Sequence, residues 1–224
     1  MNWNVEIVEA LLVMAMLLNL VLIGTRNLKT AVTALAAQGW ILGLIYPLYH
    51  WPEEAGAGVV SMVRLLGLTL VMVGLKGIVI PRAITSAAKR AGAGRSIESS
   101  LNFFATLLFA AIGTAACLCY ARTLPLLERH SSTLIVPASL ATALSGFVVM
   151  TTRPMVIMQV LGYLLLENGI FIFGLLLVDA VPILVELGVL LDIFVGVFVM
   201  VIIIHQISRT LPAASSEHLV SLKE

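Results

Sequence analysis

The chain alternates long apolar runs with short segments that contain charged residues, Pro or Gly. Seven such runs extend over residues 5–24, 29–49, 59–80, 101–120, 134–150, 155–178 and 182–205. Each has about the 20 residues that an α-helix needs to cross the hydrocarbon core of a bilayer. The pattern therefore predicts an all-α, polytopic membrane protein with seven transmembrane helices, which we number spans one to seven in chain order.

The segments between the runs are short except for residues 81–100, PRAITSAAKRAGAGRSIESS. This segment is basic and rich in Gly and Ser, which leaves two interpretations open. It forms either a short amphipathic helix on the membrane surface or a solvated loop, and we favour the loop slightly. The chain starts MNWNVEIVEA, without the basic leader and small-residue cleavage site of a signal peptide, so the first run should remain as a span.

Basic residues distinguish the two sides of the membrane. Alternate connecting segments divide the Lys and Arg residues into a set of nine and a set of two. The larger set is expected on the cytoplasmic side, which places the amino terminus outside and the carboxyl terminus inside and requires an odd number of spans. The larger set is Arg26, Lys29, Arg82, Lys89, Arg90, Arg95, Arg153, Arg209 and Lys223, and the smaller set is Arg122 and Arg129.

Composition supports the same class. Of the 224 residues, 60% are apolar and 11% are charged, and the mean hydropathy is +1.08, whereas soluble domains carry about 25% charged residues. These values exclude a disordered chain, a secreted disulfide scaffold and an ordinary cytosolic enzyme. A net charge of +1 gives no reason to expect a nucleic-acid partner. The sequence contains no phosphate-binding Gly loop, nucleophile elbow, paired Cys ligands or H-E-x-x-H motif, so we predict no catalytic, cofactor-binding or metal-binding residue.

Five ionisable residues lie inside the apolar runs, where each costs about 2.5 to 3.5 kcal/mol at mid-depth unless it has a partner, water or a neutral form. Counted along their runs, Glu167 in span six and Asp192 in span seven lie near the midplane. The other three lie closer to an interface, where a structural ion pair or a snorkelling side chain is the simpler explanation. They are Arg64 and Lys76 in span three and Glu186 in span seven.

The two midplane acids are candidates for proton transfer. A carboxylic acid in a low-dielectric surrounding holds its proton near neutrality and can exchange it. Tyr163 precedes Glu167 by one turn and should share its face, and Lys76 is a candidate cationic partner. The alternative is structural, since polar side chains close in sequence, such as Asn168 and Gln159, would satisfy Glu167 as helix-to-helix glue.

Three motifs in the last third carry a resemblance to a known family. They are G-Y-x-L-x-E-N-G at Gly162–Gly169, V-E-L-G at Val185–Gly188 and D-I-F-V-G-V-F-V-M-V at Asp192–Val201. With these motifs, residues 153–209 resemble hydrogenase-4 component E. Weaker likeness continues in K-G-I-V-I-P at Lys76–Pro81 and in the tail, so the resemblance extends over the whole chain but is specific only over its last third.

The resemblance implies a division of the chain. Residues 1–130 would form a four-helix region with the basic cytoplasmic loop 81–100, and residues 209–224 a cytoplasmic tail. Residues 131–208 would form a three-helix unit similar to the K-type small subunit of complex I and the C-type subunit of multisubunit antiporters. Asp192 falls on the third-helix carboxylate of that unit, with Asp in place of Glu. On the second helix Tyr163 takes the carboxylate position and Glu167 follows one turn later, about 6 Å away.

The resemblance further implies a membrane subunit of a hydrogenase-4-type, complex I-related respiratory assembly in the cytoplasmic (inner) membrane of a bacterium or archaeon. Its partners would be antiporter-like and H-type membrane subunits and a soluble hydrogenase arm, which would hold the nickel-iron and iron-sulfur centres that this chain lacks. Glu167 and Asp192 would relay protons, with Lys76, Glu186, Tyr163 and Arg64 in supporting or coupling roles. Two alternatives remain: a subunit of a multisubunit cation/proton antiporter, and a purely structural membrane subunit.

Overall fold

A computed structural model describes residues 3–54, 58–90, 102–124 and 134–176. This part of the chain is helical and contains no β-strand. The helices are α1 (Trp3–Gly24), α2 (Leu28–Glu54), α3 (Val59–Met72), a π-helical segment (Val73–Val79), α4 (Ile80–Arg90), α5 (Phe103–Ala121), α6 (Ile135–Thr152) and α7 (Val156–Gly174).

Six helices in this part of the chain are long and apolar enough to cross a membrane, which confirms the all-α class. They correspond to spans one to six. The seventh run, with Glu186 and Asp192, lies outside the described residues, so the seventh span and the orientation remain predictions.

Span three differs from the sequence-based expectation. The helix does not end at Ile80 but continues from α3 through the π-helical segment into α4, as far as Arg90. Residues 81–90 are therefore helical, as in the helical interpretation of this segment and not in the loop that we favoured slightly, and residues 91–100 lie outside the described residues. Because the helix is longer at this end, Lys76 lies near the middle of the span Leu65–Lys89 rather than one turn from its inner end.

The interior contains two apolar cores. The first packs the end of α1 and start of α2 against α4, the end of α6 and the start of α7, with Ile23, Ile84 and Leu161 almost fully buried. The second packs the opposite ends of α1, α2, α6 and α7 against α3, around Leu12 and Ile45. We call the end of the bundle that contains the first core the basic end, because five basic residues lie there: Arg26 and Arg153 in connections, Lys29 in α2, and Arg82 and Lys89 in α4.

Helices α6 and α7 approach each other through glycines. A Cβ on Gly146 would lie 2.6 Å from the carbonyl oxygen of Gly162, and one on Gly169 would lie 2.6 Å from the backbone nitrogen of Ala143. Real Cβ atoms do not approach backbone atoms so closely, so only glycine permits this separation of the helices. Small residues at such crossings are typical of packing between membrane helices.

Arg153 joins three helices at the basic end. It lies in the short connection between α6 and α7, is 2% exposed, and its Nη2 donates hydrogen bonds to the carbonyls of Ile23 (2.7 Å) and Thr25 (3.3 Å). These carbonyls lie at the C-terminus of α1, where helical carbonyls lack intrahelical partners and attract a cation. Burial lowers the pKa of Arg153, and the nearby charge of Arg26 lowers it further.

Candidate functional site

Buried polar side chains of the described residues lie between the two apolar cores, and we call the six that form a hydrogen-bonded chain and its ion pair the polar layer. On α2, Gln38 follows Leu35 of the basic-end core and precedes Ile41 of the opposite core. On every helix that contributes, the polar residue lies between residues of the two cores, so the layer crosses the bundle at one depth. Its members are Asn19 on α1, Gln38 on α2, Lys76 in the π-helical segment, Thr142 on α6, and Glu167 and Asn168 on α7.

A buried ion pair lies at one side of this layer. The Nζ atom of Lys76 is 3.6 Å from Oε1 of Glu167, and the two side chains are 7% and 6% exposed. The same ammonium donates a hydrogen bond to Oδ1 of Asn168 at 3.0 Å and lies 5.3 Å from the ring centre of Phe171. Carboxylate, amide oxygen and aromatic face all favour the charged ammonium, and together they offset part of its desolvation.

A chain of hydrogen bonds runs from the ion pair on α7 through α2 and α1 to α6. Asn168 Nδ2 donates to Gln38 Oε1 at 3.2 Å, and Gln38 Nε2 donates to Asn19 Oδ1 at 2.9 Å. Asn19 Nδ2 then donates to Thr142 Oγ1 at 2.9 Å. Each amide donates toward Thr142 and accepts from the direction of Lys76, so the amide dipoles are aligned along the chain.

The local backbone brings Lys76 to this position. The π-helical segment, VGLKGIV, has Lys76 at its centre, and such segments are rare and frequent at functional sites. On the facing helix a Cβ on Gly39 would lie 2.8 Å from the carbonyl carbon and oxygen of Lys76. Gly39 therefore lets α2 pack directly on the Lys76 backbone, next to Gln38 of the polar layer.

The two kinds of side chain in the layer differ in chemistry. An amide both donates and accepts hydrogen bonds but does not titrate near neutrality, so the chain of Asn and Gln side chains orients charges and does not itself carry protons. Lys76 and Glu167 are ionisable, and transfer of a proton from the ammonium to the carboxylate would leave two neutral groups. Within the described residues no group of three His, Cys, Asp or Glu side chains is placed to hold a metal ion.

The structure brings some of the sequence-predicted residues together and separates others. Glu167 lies with Lys76, the partner suggested for it, and Asn168 lies beside both. Tyr163 was expected on the face of Glu167, but its side chain is 36% exposed whereas Glu167 is buried. Arg64 lies in α3. Gln159, considered as a partner for Glu167, is exposed.

Sequence reasoning missed Asn19, Gln38 and Thr142. We searched the apolar runs for ionisable residues, and these three are uncharged. The available signal was a strongly polar amide in the interior of spans one and two, since membrane helices rarely carry Asn or Gln without a polar partner on another helix. That signal indicates a partner but does not identify it.

Comparisons with known proteins give one relative and no family. The chain is 29% identical over 209 residues to the uncharacterized protein Rv0085 of Mycobacterium tuberculosis, and the alignment covers 93% of this chain and 92% of that protein. No protein-family model matches the chain, and no solved structure matches it. The likeness to the mycobacterial protein therefore extends over nearly the whole of both chains.

Proposed function

We propose that the protein is a membrane subunit of a hydrogenase-4-type, complex I-related assembly, and that the Lys76–Glu167 pair is a titrating element of a proton path in it. The observation that carries this proposal is a buried ion pair at mid-depth between two apolar cores. Ionisable residues at this depth are costly, face the interior of the bundle and are typical of proton pathways.

The pair has the properties that coupling to a distant redox reaction needs. In the charged state the pair is net neutral, and any charge that appears nearby shifts the equilibrium between the charged and the neutral state. Coulomb interactions are stronger in the low-dielectric interior than in water. Electron transfer in a partner subunit would thus change the protonation of Glu167, and Asp192 on span seven is proposed as the next acid of the path.

The orientation belongs to the same proposal. Seven spans with the amino terminus outside would place the basic end in the cytoplasm, in agreement with the distribution of Lys and Arg. The soluble hydrogenase arm would then approach from that side, and the antiporter-like and H-type subunits would lie beside the bundle in the membrane.

Replacing Glu167 by Gln in the assembled complex tests the relay. The substitution keeps the shape and removes the titrating group, so we expect the complex to assemble and oxidise its substrate while acidification of inverted membrane vesicles falls. The matched control is Glu6→Gln, which removes an exposed carboxylate from α1. Full assembly with undiminished proton pumping would refute the relay.

A second candidate function is structural, and the amide chain favours it. Asn19, Gln38 and Asn168 are buried, hydrogen-bonded to one another in sequence, and join α1, α2 and α7 without a titrating group. If the ion pair, like these amides, only holds the helices together, Glu167→Gln should prevent assembly instead of reducing proton transport. Blue native electrophoresis of the variant complex distinguishes the two results.

The third reading, a subunit of a multisubunit cation/proton antiporter, differs in its partners. Hydrogenase large and small subunits encoded beside this chain would support the respiratory assembly. Antiporter subunits without redox proteins would support the third reading instead.

A further inference from the structure

A cleft opens between α2 and α4 at the basic end of the bundle. Its volume is about 460 Å³, and it is lined by the first turns of α2, the end of the π-helical segment and one face of α4. It is separate from the polar layer: Lys76, Glu167, Asn168 and Gln38 do not line it.

The polar part of the cleft is cationic. Arg82 and Lys89 both line it from α4, and within the described residues no carboxylate lines it. The two cations are seven residues apart on α4 and so lie on the same face, with Ser86 between them. Both side chains are exposed, and neither is paired with an acid in the described residues that line the cleft.

Three hydroxyl groups of the described residues also line the cleft, and they differ in whether their proton is free to be donated to a ligand. Thr85 donates its hydroxyl proton to the carbonyl of Pro81, and Thr33 donates to the carbonyl of Lys29. Those two protons are already used within their own helices. The donors that remain for a ligand are therefore the guanidinium of Arg82, the ammonium of Lys89 and the hydroxyl of Ser86, a set that suits a phosphate oxygen.

The cleft changes character along its length. Val32, Ala36 and Ile78 line its apolar part, and Lys89 lies eleven residues beyond Ile78, about 16 Å along the helix axis. The apolar end is directed toward the middle of the span and the cationic end toward its boundary. A free phosphate has no apolar part that could contact the apolar lining. A phospholipid has acyl chains next to its phosphate and can contact both parts of the cleft.

We infer that this cleft binds an anionic phospholipid, with the phosphate between Arg82 and Lys89 and an acyl chain along Val32, Ala36 and Ile78. Basic pockets between membrane helices are a known way of holding anionic headgroups. The inference goes beyond the proposed function and does not depend on it, since no residue of the polar layer takes part.

Native mass spectrometry of the full-length protein, titrated in detergent with phosphatidylglycerol or phosphatidylcholine, tests this binding. We expect phosphatidylglycerol to bind more tightly. The double variant Arg82→Gln, Lys89→Gln should raise its apparent Kd about 25-fold, because each cation near an anionic headgroup contributes about fivefold. The control is Arg122→Gln, an exposed cation beyond the end of α5, which should leave the Kd unchanged.

A second variant separates the cleft from general surface charge. Thr33 is exposed at the cleft, so Thr33→Trp should fill the cleft while keeping both cations, and the Kd for phosphatidylglycerol should again rise. The inference is overturned if the double variant binds phosphatidylglycerol as the parent does, or if only the charge variant and not Thr33→Trp weakens binding. Displacement of the lipid by millimolar inorganic phosphate would also overturn it and assign the cleft to a free anion.

Discussion

The ammonium of Lys76 and the carboxylate of Glu167 lie 3.6 Å apart in the interior of the bundle, ninety-one residues apart in the chain. Asn168 and Phe171, also on α7, lie close to the same ammonium. Both the proposed proton path and the structural alternative involve this pair.

Removing one member of the pair should destabilise the protein more than removing both. Lys76→Met leaves the Glu167 carboxylate without this cation and should cost about 3 to 5 kcal/mol. Glu167→Gln leaves the ammonium without this carboxylate but keeps an oxygen acceptor of the same shape, so it should cost less than Lys76→Met. The double variant should recover most of that loss, because no buried charge then remains in the pair. Chemical unfolding of the four proteins in detergent gives the coupling energy, and additive effects would contradict the close pairing.

Gln38 is the central link of the amide chain. Gln38→Leu removes the acceptor of Asn168 and the donor to Asn19, so two buried amides lose a partner at once. We expect a loss of about 1 to 3 kcal/mol for each group left unsatisfied. Gln159→Leu on α7 is the control, since that side chain is exposed. Equal stability of the two variants in thermal unfolding would show that the chain does not stabilise the bundle.

The crossing of α6 and α7 should tolerate no side chain at Gly169. Gly169→Ala places a Cβ 2.6 Å from the nitrogen of Ala143, so the helices must separate, at a cost of about 1 to 3 kcal/mol. Gly67→Ala in α3 is the matched control because a Cβ there meets no atom within 4 Å. It should be neutral or stabilise by up to about 1 kcal/mol, as Ala is the better helix former. A similar loss of stability in both variants would mean that helix propensity, not packing, determines the result.

Arg153 should stabilise the end of α1. Arg153→Ala removes two hydrogen bonds from a charged donor to the carbonyls of Ile23 and Thr25, and hydrogen bonds of this kind contribute about 1.5 to 3 kcal/mol each. Hydrogen exchange should then rise in the connection between α1 and α2. Arg122→Ala, which removes an exposed arginine, serves for comparison. Unchanged exchange near Thr25 in the Arg153 variant would contradict this role.

The sequence predicted the spans well and the site only in part. Length and apolarity locate a membrane helix directly, which is why six helices agree with six of the runs. The predicted end of span three was wrong because we ended the apolar run at residue 80, just before Pro81. Pro81 is the second residue of α4, just after the π-helical segment that changes the hydrogen-bond register, and the helix continues past it to Arg90.

The membership of the polar layer was predictable only for its charged residues. Lys76 and Glu167 are conspicuous in apolar runs because charge is costly there. Asn19 and Gln38 can be recognised as members of the layer only after their neighbours on other helices are known, because each amide hydrogen-bonds to a residue distant in the sequence. Tyr163 shows the converse, because one helical turn of separation from Glu167 did not ensure the same degree of burial.

The apolar cores on either side of the polar layer have a consequence for how the ion pair meets its environment. Within the described helices, these two cores separate the ion pair from both aqueous phases along the membrane normal. A path for water or protons to this pair through the described helices would therefore run parallel to the plane of the bilayer. The subunit or lipid that packs beside the pair at this depth would then determine whether the pair can exchange protons with other ionisable groups.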